Sequence, residues 1–208
     1  MGSRERRDRE KNELRGKILD AARELFVEQG YDAVTMRKVA QRIEYSPTAI
    51  YLHFVDKEAL LREIVGADFA ALAAQFQKVA RIEDPMERLV RTGRAYVEFG
   101  LAHPNHYRLM FGARPGPPVE LPRTTPPLDD PQQDAYAFLR MVVSDAIEKK
   151  CLRPELRDPD LVAQVLWSGV HGIVSLQIDH THAGHFTMRK AKDITALTLE
   201  VLMRGLAR

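Results

Sequence analysis

Apolar residues recur at intervals of three and four along most of the chain, the spacing that aligns one face of an α-helix. Ile18, Ala21, Ala22, Leu25 and Phe26 form one stripe, closed by Gly30. Leu60, Leu61, Ile64, Ala67, Phe69, Leu72, Ala73 and Phe76 form a second, and Leu89, Val90, Tyr96, Val97 and Phe99 a third. A fourth runs through Tyr136, Leu139, Val142, Val143, Ala146 and Ile147. No stretch alternates convincingly as a strand, so the pattern predicts an all-α protein of about nine helices.

Prolines mark where these helices begin. Pro at the first helical position loses no hydrogen bond, and an oxygen-bearing side chain before it caps the free N–H groups. Ser46-Pro47, Asp84-Pro85, Asp130-Pro131 and Asp158-Pro159 fit this, with Glu87 and Gln133 completing capping boxes at the second and third. His103-Pro104 is a fifth, less well equipped start. The stretch 112–131 differs, because it holds prolines 115, 117, 118, 122, 126, 127 and 131 and reads as a long loop. Loops of that length are connectors or lids over a cavity.

Two helices near the carboxyl end are oily nearly all the way round. One runs through Leu161, Val162, Val165, Leu166, Val170, Ile173, Val174, Leu176 and Ile178, the other through Ile194, Leu197, Leu199, Val201, Leu202, Met203 and Leu206. A helix apolar on every face needs neighbours on every side. Either both lie inside one thick core, or a second copy covers them in a two-fold dimer through a four-helix contact, and the dimer is the simpler supply in a chain this small.

Thr35 to Lys57 reads TMRKVAQRIEYSPTAIYLHFVDK and holds two short helices joined by Glu44-Tyr45, about the turn length of a helix-turn-helix. Thr35 caps the first, whose Met36, Val39, Ala40 and Ile43 face inward. Ser46 and Pro47 open the second, whose Ile50 and Phe54 do likewise. Thr48, Ala49, Tyr51, Leu52 and His53 remain outward. Short hydroxyl and methyl groups can meet thymine methyls in a major groove, while Tyr and His reach phosphates. Arg37, Lys38, Arg42 and Lys57 would neutralise flanking phosphates. The plainer alternative is an exposed helical hairpin with ordinary surface charge.

From Arg15 to Val65, RGKILDAARELFVEQGYDAVTMRKVAQRIEYSPTAIYLHFVDKEALLREIV resembles the DNA-binding domain of TetR-family transcriptional regulators. The A-x-x-L-F block ends at Phe26, Gly30-Tyr31 closes the first helix, Thr35 opens the second, and Ser46 to Phe54 with Lys57-Glu58 completes the signature. The resemblance implies DNA contacts at Thr35, Arg37, Pro47, Thr48, Tyr51, His53 and Lys57. Two residues depart from the family pattern, Glu44 where Gly is usual in the turn and Leu52 where an aromatic or basic residue is common. They bear on the target sequence and not on binding. HPNHYRLMF at His103 to Phe111 and WSGVHG at Trp167 to Gly172 are similar to a group of TetR ligand-binding domains marked by Trp, His and Gly, which implies an effector cavity and a dimer interface.

Trp167 and His171 stand four apart and share a helix face. They either line a ligand cavity or pack in the core with the imidazole bonded to a backbone carbonyl. Tyr96, Phe99, Met110, Phe111, Tyr136 and Met141 are further cavity candidates, under the same alternative. His180, His182 and His185, with His171 upstream, are the one group suggestive of a metal. Gly184 among them indicates a turn, and no metal site is assigned. No nucleophile elbow, phosphate loop, dinucleotide fingerprint or H-E-x-x-H is present, so neither an enzyme nor a cofactor is expected.

Composition refines this picture only at the edges. A single cysteine, Cys151, excludes an internal disulfide and a cysteine-rich zinc site. The formal net charge of +2 is too small to announce a nucleic-acid partner, so the DNA reading rests on local arrangement. Uninterrupted apolar runs fall short of the roughly 20 residues of a membrane span, which leads to the expectation of a cytoplasmic protein away from membranes. Residues 1–13 alternate Arg4, Arg6, Arg7, Arg9 and Lys11 with Glu5, Asp8, Glu10 and Glu13. They read as a flexible charged arm, entering a minor groove or remaining a solvated tail. The expected organisation is that arm, a three-helix DNA-binding domain over 14–60, and an effector-binding and dimerisation domain over 61–208. Such a protein would be a homodimer on a double-stranded palindromic operator, most simply a repressor released by a small-molecule effector.

Overall fold

The computed structural model describes residues 3–112, 130–179 and 187–208. Among them there are nine helices and no strand. Most of the proline-rich segment and the His180, His182 and His185 group lie outside the described residues. Among those described, no cluster of metal-ligating side chains occurs.

The chain divides into two compact units, Met1–Asp68 with Asn105–Pro122, and Phe69–Pro104 with Arg123–Arg208. The first holds α1 (Ser3–Gln29), α2 (Met36–Arg42), α3 (Pro47–Tyr51), the start of α4 (Lys57–Gln77) and nearly all of α6 (Pro104–Phe111). The second holds the rest of α4 with α5 (Pro85–Ala102), α7 (Ala135–Glu148), α8 (Pro159–Asp179) and α9 (Ala191–Leu206). The division expected after residue 60 falls inside α4, and α6 groups with the amino-terminal unit.

In the first unit, Ile18, Ala22, Leu25 and Phe26 of α1 are buried with Val39 and Ala40 of α2, Ile50 of α3, Phe54, and Leu60, Leu61 and Ile64 of α4. The α1 stripe stops where expected: Gly30 takes φ 78 and its N–H reaches the Phe26 carbonyl at 3.0 Å. The α4 stripe departs from expectation. Ala67 is exposed and the next residue, Asp68, is buried in its place. Residues 3–13, expected as an arm, continue α1 as helix with exposed side chains wherever these are described. Nothing there breaks a helix, extension onto an existing one needs no new nucleus, and Arg6 and Glu10 pair across one turn at 3.6 Å.

The second unit is a helical bundle in which α8 packs against α5, α7 and α9, and α5 also meets α7 and α9. Phe138, Val142, Val143, Val162, Ala163 and Val174 are at its centre. Gly93 of α5 allows close approach, since a Cβ there would stand 2.7 Å from Leu199 of α9. Arg88 and Asp145 form an ion pair between α5 and α7. The carboxyl end is pinned by an antiparallel bridge between Leu152 and Ala207.

Two expectations are corrected here. The fourth amphipathic helix starts at Ala135, not at Pro131: Asp134 caps it by accepting from the N–H groups of Tyr136 and Ala137, while Asp130 caps a single turn ahead of it. In addition, 20 residues of α8, Pro159–Ile178, are long and apolar enough to cross a membrane by length and composition alone. Scattered Gln, Ser and His interrupt the apolar run without outweighing it, and a helix packed on three neighbours acquires the same profile.

Candidate nucleic-acid interface and effector site

The helix-turn-helix is built as its caps dictate. Thr35 Oγ1 accepts from the Lys38 N–H at 3.2 Å and Ser46 Oγ from the Ala49 N–H at 3.2 Å. Between the helices Glu44 takes φ 60, the left-handed conformation that favours glycine, which lets the Tyr45 N–H return to the Ala40 carbonyl at 3.0 Å. Ala40 is buried at this crossing, and Ile50 and Phe54 pin α3 inward.

What α3 leaves outward is Pro47, Thr48, Tyr51 at 54% and Leu52 at 78% exposure. Ala49 and His53 are half-buried. The His53 Nδ1 is buried without a hydrogen-bond partner. Burial first, then the Arg15 and Lys11 charges, hold its pKa below the ordinary value, so the imidazole is neutral at pH 7.

The cations divide into free and engaged. Arg37 is exposed and makes no contact among the described residues. Lys38 Nζ donates to Gln29 Oε1 and the Ala33 carbonyl, each at 2.8 Å. Arg42 pairs with Glu24 and Glu28 of α1, and its hydrogen bond holds the Glu28 carboxyl below its usual range. Lys57 lies 4.1 Å above the Tyr31 ring and donates to the Tyr31 carbonyl at 2.9 Å and the Val34 carbonyl at 3.4 Å. In the structure, then, Lys38, Arg42 and Lys57 brace α1, α2 and the loop joining them.

Arg15 was not singled out by sequence. It pairs with both carboxylate oxygens of Glu63, donates to the His53 carbonyl at 3.3 Å, and stacks 4.5 Å from the Phe54 ring. Its invariable charge marks a cation in the sequence, but its partners lie 38 and 48 residues away.

Six of the eight cavity candidates belong to the second unit. Tyr96, Phe99 and, in the first unit, Met110 are buried; Tyr136, Trp167, His171 and, in the first unit, Phe111 are half-buried; Met141 is exposed. Asp160, Gln164, Trp167 and His171 make one stripe on α8, and the tyrosines of α5 and α7 meet it. The Trp167 indole N–H donates to the Tyr96 hydroxyl at 3.2 Å, which lies 2.9 Å from Nδ1 of His171. An indole can only donate, so the Tyr96 oxygen accepts from Trp167, and the Tyr96–His171 bond runs either from the hydroxyl to Nδ1 or from Nδ1–H to the hydroxyl oxygen, according to the tautomer. Burial lowers the His171 pKa, so the ring is neutral. The Nδ1 partner is a tyrosine hydroxyl. Tyr136, whose pKa is raised chiefly by burial, donates to Asp160 Oδ1 at 2.9 Å and accepts from Gln164 Nε2 at 3.3 Å. The Tyr136 and Trp167 rings meet edge to face at 6.3 Å.

A third surface lies on α8 and α9. Leu161, Val165 and Leu176 of α8 and Leu197 and Val201 of α9 are exposed at three- and four-residue multiples, and among the described residues nothing comes within 4 Å of the Cβ positions of Gly172 and Gly205. Among the described residues these faces are left uncovered.

Comparison with known proteins agrees with this geometry. The family model for bacterial regulatory proteins of the tetR family matches residues 18–64, and that for the tetracyclin repressor-like C-terminal domain matches residues 89–203. The HTH-type transcriptional regulator UidR of Escherichia coli (strain K12) is 37% identical over 73 residues, 35% of this chain and 34% of that protein. The tetracycline repressor protein class A of Escherichia coli is 33% identical over 102 residues, 49% of this chain and 46% of the repressor. The alignments therefore span a third to a half of these relatives. Among solved structures, a protein of unknown function from Rhodococcus sp. RHA1 superposes with a TM-score of 0.74 at 23% identity, covering 94% of this chain and 96% of that one. The fatty acid degradation regulator FadR from Bacillus halodurans gives 0.73 at 18% identity, covering 93% and 97%. Both share the fold. With an operator-type helix-turn-helix ahead of a matched carboxyl-terminal domain, the chain belongs to the TetR family of DNA-binding transcriptional regulators.

Proposed function

We propose that this protein is a homodimeric repressor in the cytoplasm that leaves a palindromic operator when a small, largely apolar effector binds. The observation that carries the reading is the outward edge of α3, where Thr48, Tyr51 and Leu52 stand exposed on a helix held by buried Ile50 and Phe54. Thr35, Arg37, Pro47, Thr48, Tyr51, His53 and Lys57 are the proposed DNA contacts. His53 would serve as a neutral hydrogen-bond donor to phosphate. Leu52 would offer an apolar contact to a thymine methyl.

Members of this family act as dimers, and the proposed interface is the exposed apolar stripe of α8 and α9, covered by its counterpart on a second copy. The two heads would then sit about one helical turn, ~34 Å, apart. The proposed effector contacts are Tyr96, Phe99, Tyr136, Trp167 and His171 of the second unit. Trp167, His171 and Gly172 support assignment to the Trp-His-Gly group. Met141, being exposed, is the weakest of the original eight candidates.

An effector shifts DNA affinity only by its differential affinity for two conformations. Selection of duplexes from a random pool, followed by a thermal-shift screen of apolar compounds and an operator-release assay, tests each part. Recovery of a palindrome and its release by a stabilising compound is the expected result. Binding without release by any stabilising compound would favour an effector-independent or activating regulator. A metal-sensing role for His180, His182 and His185 would require zinc or copper in the purified protein, measured by elemental analysis.

A further inference from the structure

The face of α1 that packs against the head does not end where the head's core ends. Leu25, Ala22 and Ile18 are buried on it, and the same row continues through Arg15, Lys11 and Arg7 at four-residue steps. Arg15 touches the far end of the recognition helix through the His53 carbonyl and the Phe54 ring. At 1.5 Å per residue, Lys11 and Arg7 overhang that contact by roughly 6 and 12 Å. Both are exposed, and neither meets a partner among the described residues.

The charges of these first turns are sorted by face. Arg6 is paired with Glu10 away from the row, Arg9, Glu5 and Glu13 also lie off it, and only Asp8 borders it. Lys11 and Arg15 both act on the His53 imidazole, so positive charge converges beside the recognition helix, with Glu63 paired to Arg15 and Asp8 bordering the row as the described anions nearest it. A helix about 10 Å across with its side chains is too wide to lie in a minor groove about 6 Å wide, so these turns meet the DNA from the backbone side.

We propose that the overhanging turns of α1 are a second DNA-contact element, in which Arg7 and Lys11 bind the backbone phosphates flanking the bases read by α3, on the His53 side. This rests on the DNA-binding role of the head and lengthens each half-site outward. It predicts a footprint wider than the palindrome that carries sequence information, because phosphate contacts position without specifying.

The test uses the full chain and the duplex it selects from a random pool, with wide flanks. Arg7→Gln with Lys11→Gln is compared with Arg6→Gln with Arg9→Gln, which removes the same charge from the other faces. The first pair is expected to reduce the slope of log affinity against log salt by about one unit for each lost contact, and to expose the outer edge of each half-site to hydroxyl-radical cleavage. The second pair is expected to change neither edge, and circular dichroism reports whether either pair loses helix. Equal slope changes in both pairs, or outer edges that stay protected without Arg7 and Lys11, would overturn the proposal. If the unaltered protein selects no duplex, the regulator reading fails first and the proposal with it.

Discussion

Nδ1 of His106 on α6 lies 2.9 Å from Oδ1 of Asp68 on α4, the oxygen that also receives Nη2 of Arg23 from α1 at 2.8 Å. Asp68 is 2% exposed and its second oxygen has no hydrogen-bond partner. A buried carboxylate thus ties three helices of the amino-terminal unit. Removing Asp68 leaves the largely buried Arg23 with the exposed Asp20 as its remaining counter-charge, so Asp68→Ala should cost about 3 kcal/mol, the low end for a broken buried pair. Joint replacement of Arg23 by Met and Asp68 by Leu should cost much less. Urea unfolding of the three proteins checks this, and equal losses would refute it.

The left-handed backbone at Glu44 makes a second point of strain. A residue with a Cβ is disfavoured there by about 1 kcal/mol, so Glu44→Gly should raise stability by somewhat less than that, since glycine also loosens the unfolded chain. Lys150, at φ 57, should respond to glycine in the same direction. A lowered urea midpoint for either variant would count against the assignment.

Tyr51 and Lys57 should separate on mutation. Tyr51 is exposed, so Tyr51→Ala should lower DNA affinity and leave the thermal midpoint within about 0.5 kcal/mol of the parent. Lys57 holds the carbonyls of Tyr31 and Val34, so Lys57→Ala should lower affinity and stability together. Gel retardation paired with thermal melting distinguishes the two patterns.

Acid should weaken the second unit through His171. Its folded pKa is depressed by burial below an unfolded value of about 6.5, so the unfolded chain binds more protons as pH falls. The stability this group contributes is complete above about pH 6.5 and is lost progressively below it. Tyr96→Phe would strip the hydroxyl from both Trp167 Nε1 and His171 Nδ1, at about 1–3 kcal/mol. If Tyr96 donates to Nδ1, imidazole nitrogen shifts in NMR should show an Nε2–H tautomer in the parent protein; an Nδ1–H tautomer would mean that the imidazole donates to the Tyr96 oxygen.

Association through the apolar stripe is open to one charge. Leu197, 61% exposed on α9, meets little in its own protomer, so Leu197→Glu should leave the fold intact and convert a dimer to a monomer in sedimentation velocity. A dimer unchanged by Leu197→Glu and by Leu161→Glu would place the interface elsewhere.

Features that depend on neighbours along the chain were legible in the residues themselves. The helical stripes, the caps at Thr35, Ser46 and Asp84, and the stop at Gly30 follow from side chains within a turn of the backbone they satisfy. The Glu44 turn was readable through the family resemblance, in which Gly is usual at that position, and the backbone there is left-handed. Tertiary structure decided what long-range partners decide. Asp68 sits at an otherwise apolar face because Arg23 and His106, 45 and 38 residues away, make its burial tolerable. Periodicity carries no trace of such a pairing. The same holds for Lys57 on the Tyr31 ring and for the Trp167–Tyr96–His171 chain, which joins residues 71 and 75 positions apart. A charge in a sequence states what a side chain can do; only the fold states which opposite charge or hydrogen bond reaches it, because that is fixed by distances through space and not along the chain.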